Sequence, residues 1–71
     1  MKQSLTWVDG FEIRFEITGS EGVISANREG MLSLANHLKA LAEEEPGAHI
    51  HLDEYNSLEE HSDDLIFVRT E

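Results

Sequence analysis

The chain has 71 residues, 39% of them hydrophobic, with 15 Asp and Glu against 5 Lys and Arg and a formal net charge of −10. A chain of this length buries roughly 60% of the surface that its unfolded form exposes, which leaves little room for a deep substrate pocket. The acidic surface repels nucleic-acid phosphates and anionic lipids and attracts basic proteins, although acidity also serves solubility alone. We therefore expect one domain, residues 1–71, that acts by binding a protein and binds neither nucleic acid nor membrane.

The absence of cysteine excludes disulfides and thiolate metal sites. No apolar run is long enough to cross a membrane, and the first residues, Met1–Ser4, lack the basic and apolar regions of a signal peptide. Together these features predict a cytoplasmic protein.

The first predicted element is a strand from Phe11 to Ile17, because apolar and charged residues alternate strictly along it. Residues Gly19–Gly22 are typical of a turn, and Val23–Ser25 is predicted to return as a short second strand. The alternation places the charged residues of the first strand on the face away from the core.

A helix is predicted from Arg28 to Glu45, with Asn27 or Ser25 as its N-cap and Pro46 after its end. The residues expected to face the core recur at spacings of three and four: Met31, Leu34, Ala35, Leu38, Leu41 and Ala42. Truncation of a core residue such as Leu38 to Ala would then cost about 2–5 kcal/mol.

Two further side chains, His37 and Trp7, lie outside this apolar pattern. His37 lies off the apolar stripe and is expected to be solvated. Trp7, the single tryptophan, precedes the first strand and is expected to pack over the edge of the core, with an interface role as the alternative.

Two further strands complete the chain, His49–Asp53 and Leu65–Val68, with a polar loop at Glu54–Asp63 between them. The order is therefore β-β-α-β-β. The simplest architecture is an α+β fold in which the helix packs on one face of a small antiparallel sheet.

One helix covers only one face of a sheet, so the other face is expected to stay open. Its residues are Glu12, Arg14, Glu16, His49, His51 and Asp53, with either Leu65 and Phe67 or Ile66 and Val68. A charged face with two exposed apolar residues resembles an interface. The competing explanation is a homodimer that pairs these faces.

The run His49-x-His51-x-Asp53 places three side chains that bind metals on one strand face, roughly 6.5 Å apart. We expect the histidines to pair with carboxylates across the sheet, and no bound metal or other cofactor, because the third ligand is ambiguous between Asp53 and a glutamate of a neighbouring strand. A small metal- or ligand-binding domain that uses the His49/His51/Asp53 face stays open as an alternative, as does a dimeric accessory subunit.

Catalytic motifs are missing from the sequence. It contains no Gly-x-Ser-x-Gly, no P-loop, no dinucleotide fingerprint and no His-Glu-x-x-His. Neighbouring carboxylates carry no specificity in a chain with 15 acidic residues. The chain is therefore not expected to be an enzyme.

Three segments together resemble the immunity protein 32 family of bacterial polymorphic toxin systems: Glu29–Leu38, Gly47–Leu58 and Ser62–Val68. The most specific part is the Gly-x-His-x-His-Leu-Asp stretch that begins at Gly47. The resemblance covers roughly residues 28–68, more than half of the chain. The family pattern has Gly where this chain has His61, so the turn at that position is expected to differ.

This resemblance implies a protein that binds and neutralises a toxin encoded beside it. Many such toxins attack nucleic acids through basic clefts, so a basic nuclease suits the acidic surface. The expected toxin-binding residues are those of the open face and of the acidic loop: Glu12, Arg14, Glu16, His49, His51, Asp53, Glu59 and Glu60. Two motif residues have structural explanations, Gly30 in close packing of the helix on the sheet and Asn56 in a turn.

Overall fold

The computed structural model describes residues 7–71 and confirms the α+β class and the β-β-α-β-β order. Its elements are β1 (Ile13–Thr18), β2 (Glu21–Ala26), α1 (Arg28–Ala42), β3 (His49–Leu52) and β4 (Leu65–Val68). The first strand begins at Ile13 instead of Phe11, and the second is longer than the predicted Val23–Ser25.

β1 and β2 form an antiparallel hairpin in which Phe15 lies opposite Ile24 and Thr18 lies opposite Glu21. The turn between them consists of Gly19 and Ser20, and Gly19 has a φ of 63°. Two-residue hairpin turns need positive φ angles that glycine adopts without strain. This turn fixes the register and therefore which side chains of the hairpin face the core.

The four strands do not form the single sheet that we predicted. β3 pairs with β4 in a second antiparallel ribbon, and among the described residues neither strand pairs with β1 or β2. The reason is that the loop before β4 occupies the outer edge of β1. The N–H groups of Glu59 and Asp63 donate to the carbonyl oxygens of Ile13 and Phe15, each at 2.8 Å.

Side chains of the same loop complete this edge. The Phe15 N–H donates to the Ser62 hydroxyl at 3.2 Å, and the Ile17 N–H donates to a carboxylate oxygen of Asp63 at 2.8 Å. Ser62 is buried by this contact. The loop therefore substitutes for a neighbouring strand and ties the second half of the chain to the first hairpin.

The hydrophobic core lies between the helix, β1, β3 and the loop. Its buried members are Ile13, Leu34, Leu52 and Leu58. Partly buried side chains surround them: Trp7, Phe11, Phe15, Ala26, Ile50, Leu65 and Phe67. Trp7 stacks on the Phe11 ring with 4.5 Å between centroids, which confirms the prediction that it packs at the edge of the core.

Asn27, and not Ser25, caps the start of α1. Its side-chain oxygen accepts the Gly30 N–H at 2.7 Å and the Glu12 N–H at 3.0 Å, so the cap also fixes the chain entering β1. The helix ends at Ala42 and not at Glu45. Three successive carboxylates at residues 43–45 oppose the helix dipole there, which disfavours a further turn.

The buried face of α1 differs from the predicted stripe. Leu34 and Leu41 are buried as expected, but Met31 and Leu38 are 51% and 43% exposed, and Ala35 and Ala42 are exposed as well. The buried residues are instead Gly30, Ser33, Leu34, His37, Ala40 and Leu41. The helix turns its small residues toward the sheet because the backbones approach closely: a Cβ at Gly30 would overlap the Glu12 carbonyl oxygen.

His37 is fully buried, so the prediction that it is solvated was wrong. Its ring lies against Trp7 with 4.0 Å between centroids, and Nδ1 lies 2.7 Å from the Ser33 carbonyl oxygen. Nδ1–H therefore donates to that carbonyl. Ser33 is also buried, because its hydroxyl accepts the Val8 N–H and donates to the Glu29 carbonyl. Ser33 is thus fully hydrogen-bonded, whereas Nε2 of His37 is buried without a hydrogen-bond partner in the described residues. Both polar side chains lie on a helix face that apolar periodicity alone does not identify.

The two leucines of α1 provide a matched test of the observed buried face. Leu41→Ala should lower the free energy of unfolding by about 2–5 kcal/mol because it leaves a core cavity. Leu38→Ala should cost less than about 1 kcal/mol, since a half-exposed side chain loses little burial. Urea unfolding of both variants measures the difference, and equal losses would contradict the observed orientation of the helix.

Gly30 provides a second test. Alanine normally stabilises a helix by about 1 kcal/mol relative to glycine. Here the new methyl group would overlap the Glu12 carbonyl oxygen and lie 2.9 Å from the Ile13 side chain, so we expect Gly30→Ala to destabilise the fold. The expected loss is about 1–3 kcal/mol, as for other overpacked sites.

Ala35→Gly, at an exposed position of the same helix, measures the intrinsic helix preference without the packing contact. A gain in stability from Gly30→Ala, measured by the same urea titration, would show that the helix does not approach β1 so closely.

Candidate partner-binding surface

The open face of the β3–β4 ribbon combines two histidines with two apolar side chains. His49 lies opposite Val68 and His51 lies opposite Ile66, so the four side chains project from one face. Ile66 and Val68 are 53% and 57% exposed. The register thus decides between the two predicted pairs: Ile66 and Val68 face outward, and Leu65 and Phe67 pack against the core.

His51 pairs with carboxylates, as predicted. Its Nε2 lies 3.2 Å from Oδ2 of Asp64 and 3.8 Å from Oδ2 of Asp53. His49, two residues earlier on the same face, has no such ion pair within residues 7–71. The structure therefore separates two histidines that the sequence pattern treats alike.

Asp53 is held by its own turn. Its Oδ1 accepts the N–H groups of Tyr55 and Asn56 at 2.9 and 3.1 Å. The Asn56 side chain in turn accepts the Asp53 N–H and donates to the His51 carbonyl oxygen, each at 3.0 Å. Asn56 thus acts as the turn residue that the sequence predicts, and the Oδ2 atom of Asp53 is left facing His51.

A second group of predicted residues lies on the outer face of the β1–β2 hairpin. An open groove of about 360 Å³ is lined by Glu12, Ile13, Arg14, Ser25, Ala26, Asn27 and Glu59. Arg14 donates a hydrogen bond from its guanidinium to the Glu60 carbonyl oxygen at 3.0 Å. The hydrogen bond orients the Arg14 side chain toward the loop, and the groove carries the carboxylates of Glu12 and Glu59 against this one guanidinium.

The remaining predicted residue of this face, Glu16, is exposed and lies opposite Val23 beyond the groove. The predicted site residues thus form two groups, one around the groove and one around His51, instead of one continuous sheet face. The loop joins them, since Glu59 contacts β1 and Asp64 contacts β3.

Sequence reasoning missed Asp64 as a partner of His51. Its position follows from the register, because Leu52 lies opposite Leu65 and the flanking residues Asp53 and Asp64 therefore stand opposite each other. Ser62 and Asp63 were also missed as the residues that complete the β1 edge. Serine and aspartate side chains favour hydrogen bonds to nearby backbone groups, but no local sequence pattern indicates which strand they would reach.

His61 lies in this loop with a φ of 71°, and it is the one residue other than glycine with a positive φ in the described part of the chain. The backbone at this position therefore has the left-handed conformation that glycine adopts freely. A glycine at this position would therefore fit without strain. The His61 side chain is 84% exposed, and its nearest charged partner is a Glu60 oxygen at 4.0 Å.

His61→Gly should therefore raise the free energy of unfolding by about 0.5–1 kcal/mol, because it removes the left-handed strain and loses no buried contact. Glu60→Gly is the matched control, since Glu60 has no positive φ and the substitution only adds freedom to the unfolded chain. Thermal and urea unfolding measure both variants. A loss of stability in both would mean that the His61 side chain supports the loop.

The chain matches the sequence model of one protein family. The model of the immunity protein 32 family matches residues 21–70, a range that contains β2, the helix, the loop and the His51 cluster but not β1. None of the curated proteins and none of the solved structures matches the chain. In residues 7–71 no helix has the length and apolarity needed to cross a bilayer. Since the family match extends over more than half of the sequence, the chain belongs to the immunity protein 32 family.

Proposed function

We propose that this protein neutralises a cognate toxin of a bacterial polymorphic toxin system by binding it in the cytoplasm. The support is membership of an immunity protein family, which implies a toxin as partner and an action through binding instead of catalysis. No cofactor is required for this action.

The toxin surface that it contacts is basic. The observation that supports this proposal is the charge of −10, combined with a groove whose ionisable side chains other than Arg14 are Glu12 and Glu59. The guanidinium of Arg14 already bonds to the Glu60 carbonyl. A lysine or arginine of the toxin would therefore meet two carboxylates and one guanidinium in this groove, a net negative charge that suits the basic cleft of a nuclease.

The groove is also a rigid contact surface. Four of its lining residues are paired across β1 and β2, Ile13 with Ala26 and Arg14 with Ser25, and the Glu59 backbone is fixed because its N–H donates to the Ile13 carbonyl oxygen. Charges on such a frame lose less conformational entropy on binding than charges on a free loop. The groove with Glu12 and Glu59 is therefore proposed as the main contact, with Glu16, Glu60 and the His49/His51/Asp53 face around it.

Charge reversal in the groove tests this surface. Glu12→Lys/Glu59→Lys should reduce the association rate constant with the toxin by about tenfold or more, because steering by the local field is reversed. Glu43→Lys/Glu44→Lys, at the exposed end of α1, changes the net charge equally but lies outside the groove. The toxin encoded beside this gene is the partner to use, with survival on co-expression and stopped-flow kinetics as readouts.

Three outcomes separate the parts of the proposal. Equal slowing by both double variants, at unchanged melting temperatures, would show that net charge acts and the groove does not. An association rate that stays constant as salt rises would remove electrostatic steering, since the Debye length falls from about 10 Å at 0.1 M to about 3 Å at 1 M ionic strength. A wild-type protein that neither binds nor protects against this toxin would contradict the proposed function itself.

A further inference from the structure

We propose that His51, Asp53 and Asp64 form a binding site for one divalent transition-metal ion of the zinc type. The three side chains each offer one ligand atom, and these atoms all lie within 4.8 Å of one another. The ligands come from the end of β3, the turn that follows it and the residue before β4. They include a nitrogen and two oxygens, a combination that zinc accepts in proteins.

The spacing of the ligand atoms fits a tetrahedral ion. Two ligands held about 2.0–2.1 Å from zinc at a tetrahedral angle are separated by roughly 3.3 Å. The Nε2 atom of His51 lies 3.2 Å from Oδ2 of Asp64 and 3.8 Å from Oδ2 of Asp53. The two carboxylate oxygens lie no more than 4.8 Å apart, so rotation of the Asp53 and Asp64 side chains toward each other would bring all three atoms onto one ion.

The charges at this point also favour a cation. Two carboxylates face a single ring nitrogen, and an N–H at Nε2 makes a hydrogen bond to Asp64 while Asp53 stays beyond hydrogen-bond distance. A dication would bind both carboxylates at once and remove their mutual repulsion. The imidazole ligand favours zinc, nickel or copper over magnesium and calcium, which prefer oxygen ligands alone.

The surrounding backbone holds the ligands in place. Asp53 uses Oδ1 for the N–H groups of its own turn, so only Oδ2 is directed at His51. The antiparallel register fixes Asp64 across from Asp53. The third ligand that the sequence did not reveal is thus Asp64, and His49, the second histidine of the pattern, takes no part in the cluster.

Isothermal titration of the metal-free full-length protein with zinc chloride tests the site. We expect one equivalent to bind, with the affinity reduced at least about tenfold in His51→Ala and in Asp64→Asn, since even residues that only support a metal ligand change affinity by that much. His49→Ala is the matched control, because it removes an exposed histidine from the same strand face and should leave zinc binding unchanged. Magnesium chloride should give no binding.

The melting temperature of each variant without metal shows whether it is folded, and Asp64→Asn keeps the test valid if His51→Ala is not. The ring-nitrogen NMR signal of His51 in wild-type protein should shift on zinc addition, while that of His49 should not. Binding of several weak equivalents, equal binding in the His51 and His49 variants, or no heat at all would overturn the proposal. None of these results depends on the toxin, so they leave the proposed immunity function to its own test.

Discussion

The structure depends on how the outer edge of β1 is satisfied. The backbone groups of Ile13, Phe15 and Ile17 point away from β2, and a sheet edge left open in this way invites pairing with other chains. Here the loop supplies main-chain N–H groups, a serine hydroxyl and an aspartate carboxylate to this edge. Buried backbone groups that lacked such partners would cost free energy comparable to a lost hydrogen bond each.

This one arrangement also positions residues of the two proposed binding surfaces. Fixing the loop on β1 brings Glu59 to the rim of the hairpin groove and delivers Asp64 to His51 in the second ribbon. The two ribbons, which share no backbone pairing with each other in the described residues, are thereby joined through a segment without regular secondary structure. Sequence changes in this loop would consequently affect both surfaces as well as the fold.

The elements with a regular period were predictable from the sequence. Alternation identified the first strand, and the capping residue and the proline identified the limits of the helix within a few residues. The close packing of Gly30 was predicted and is confirmed. The rest of the buried helix face was not predictable, because Ser33 faces inward for reasons of hydrogen bonding, which hydrophobicity does not record. The burial of His37 depends in the same way on Trp7, a residue that lies 30 positions earlier in the numbering of the chain.

In the candidate site, too, residue types were predictable from the sequence and tertiary contacts were not. The histidines and acidic residues were identified by type and strand position, but their grouping depended on long-range pairing that no local pattern encodes. The partner of His51 became evident only through the β3–β4 register, and the engagement of Arg14 only through the path of the loop. A single sequence thus predicts which side chains are available on a surface, and the fold decides which of them meet.

The position of Trp7 has a consequence for spectroscopy. The single indole of the chain lies between the Phe11 and His37 rings beside the core and lines neither the groove nor the ribbon face. Its fluorescence therefore reports the integrity of the packed interior and is insensitive to contacts made by the acidic groove or the histidine face. Emission from Trp7 can follow unfolding while another signal follows a binding partner, so the two processes can be recorded separately in one sample.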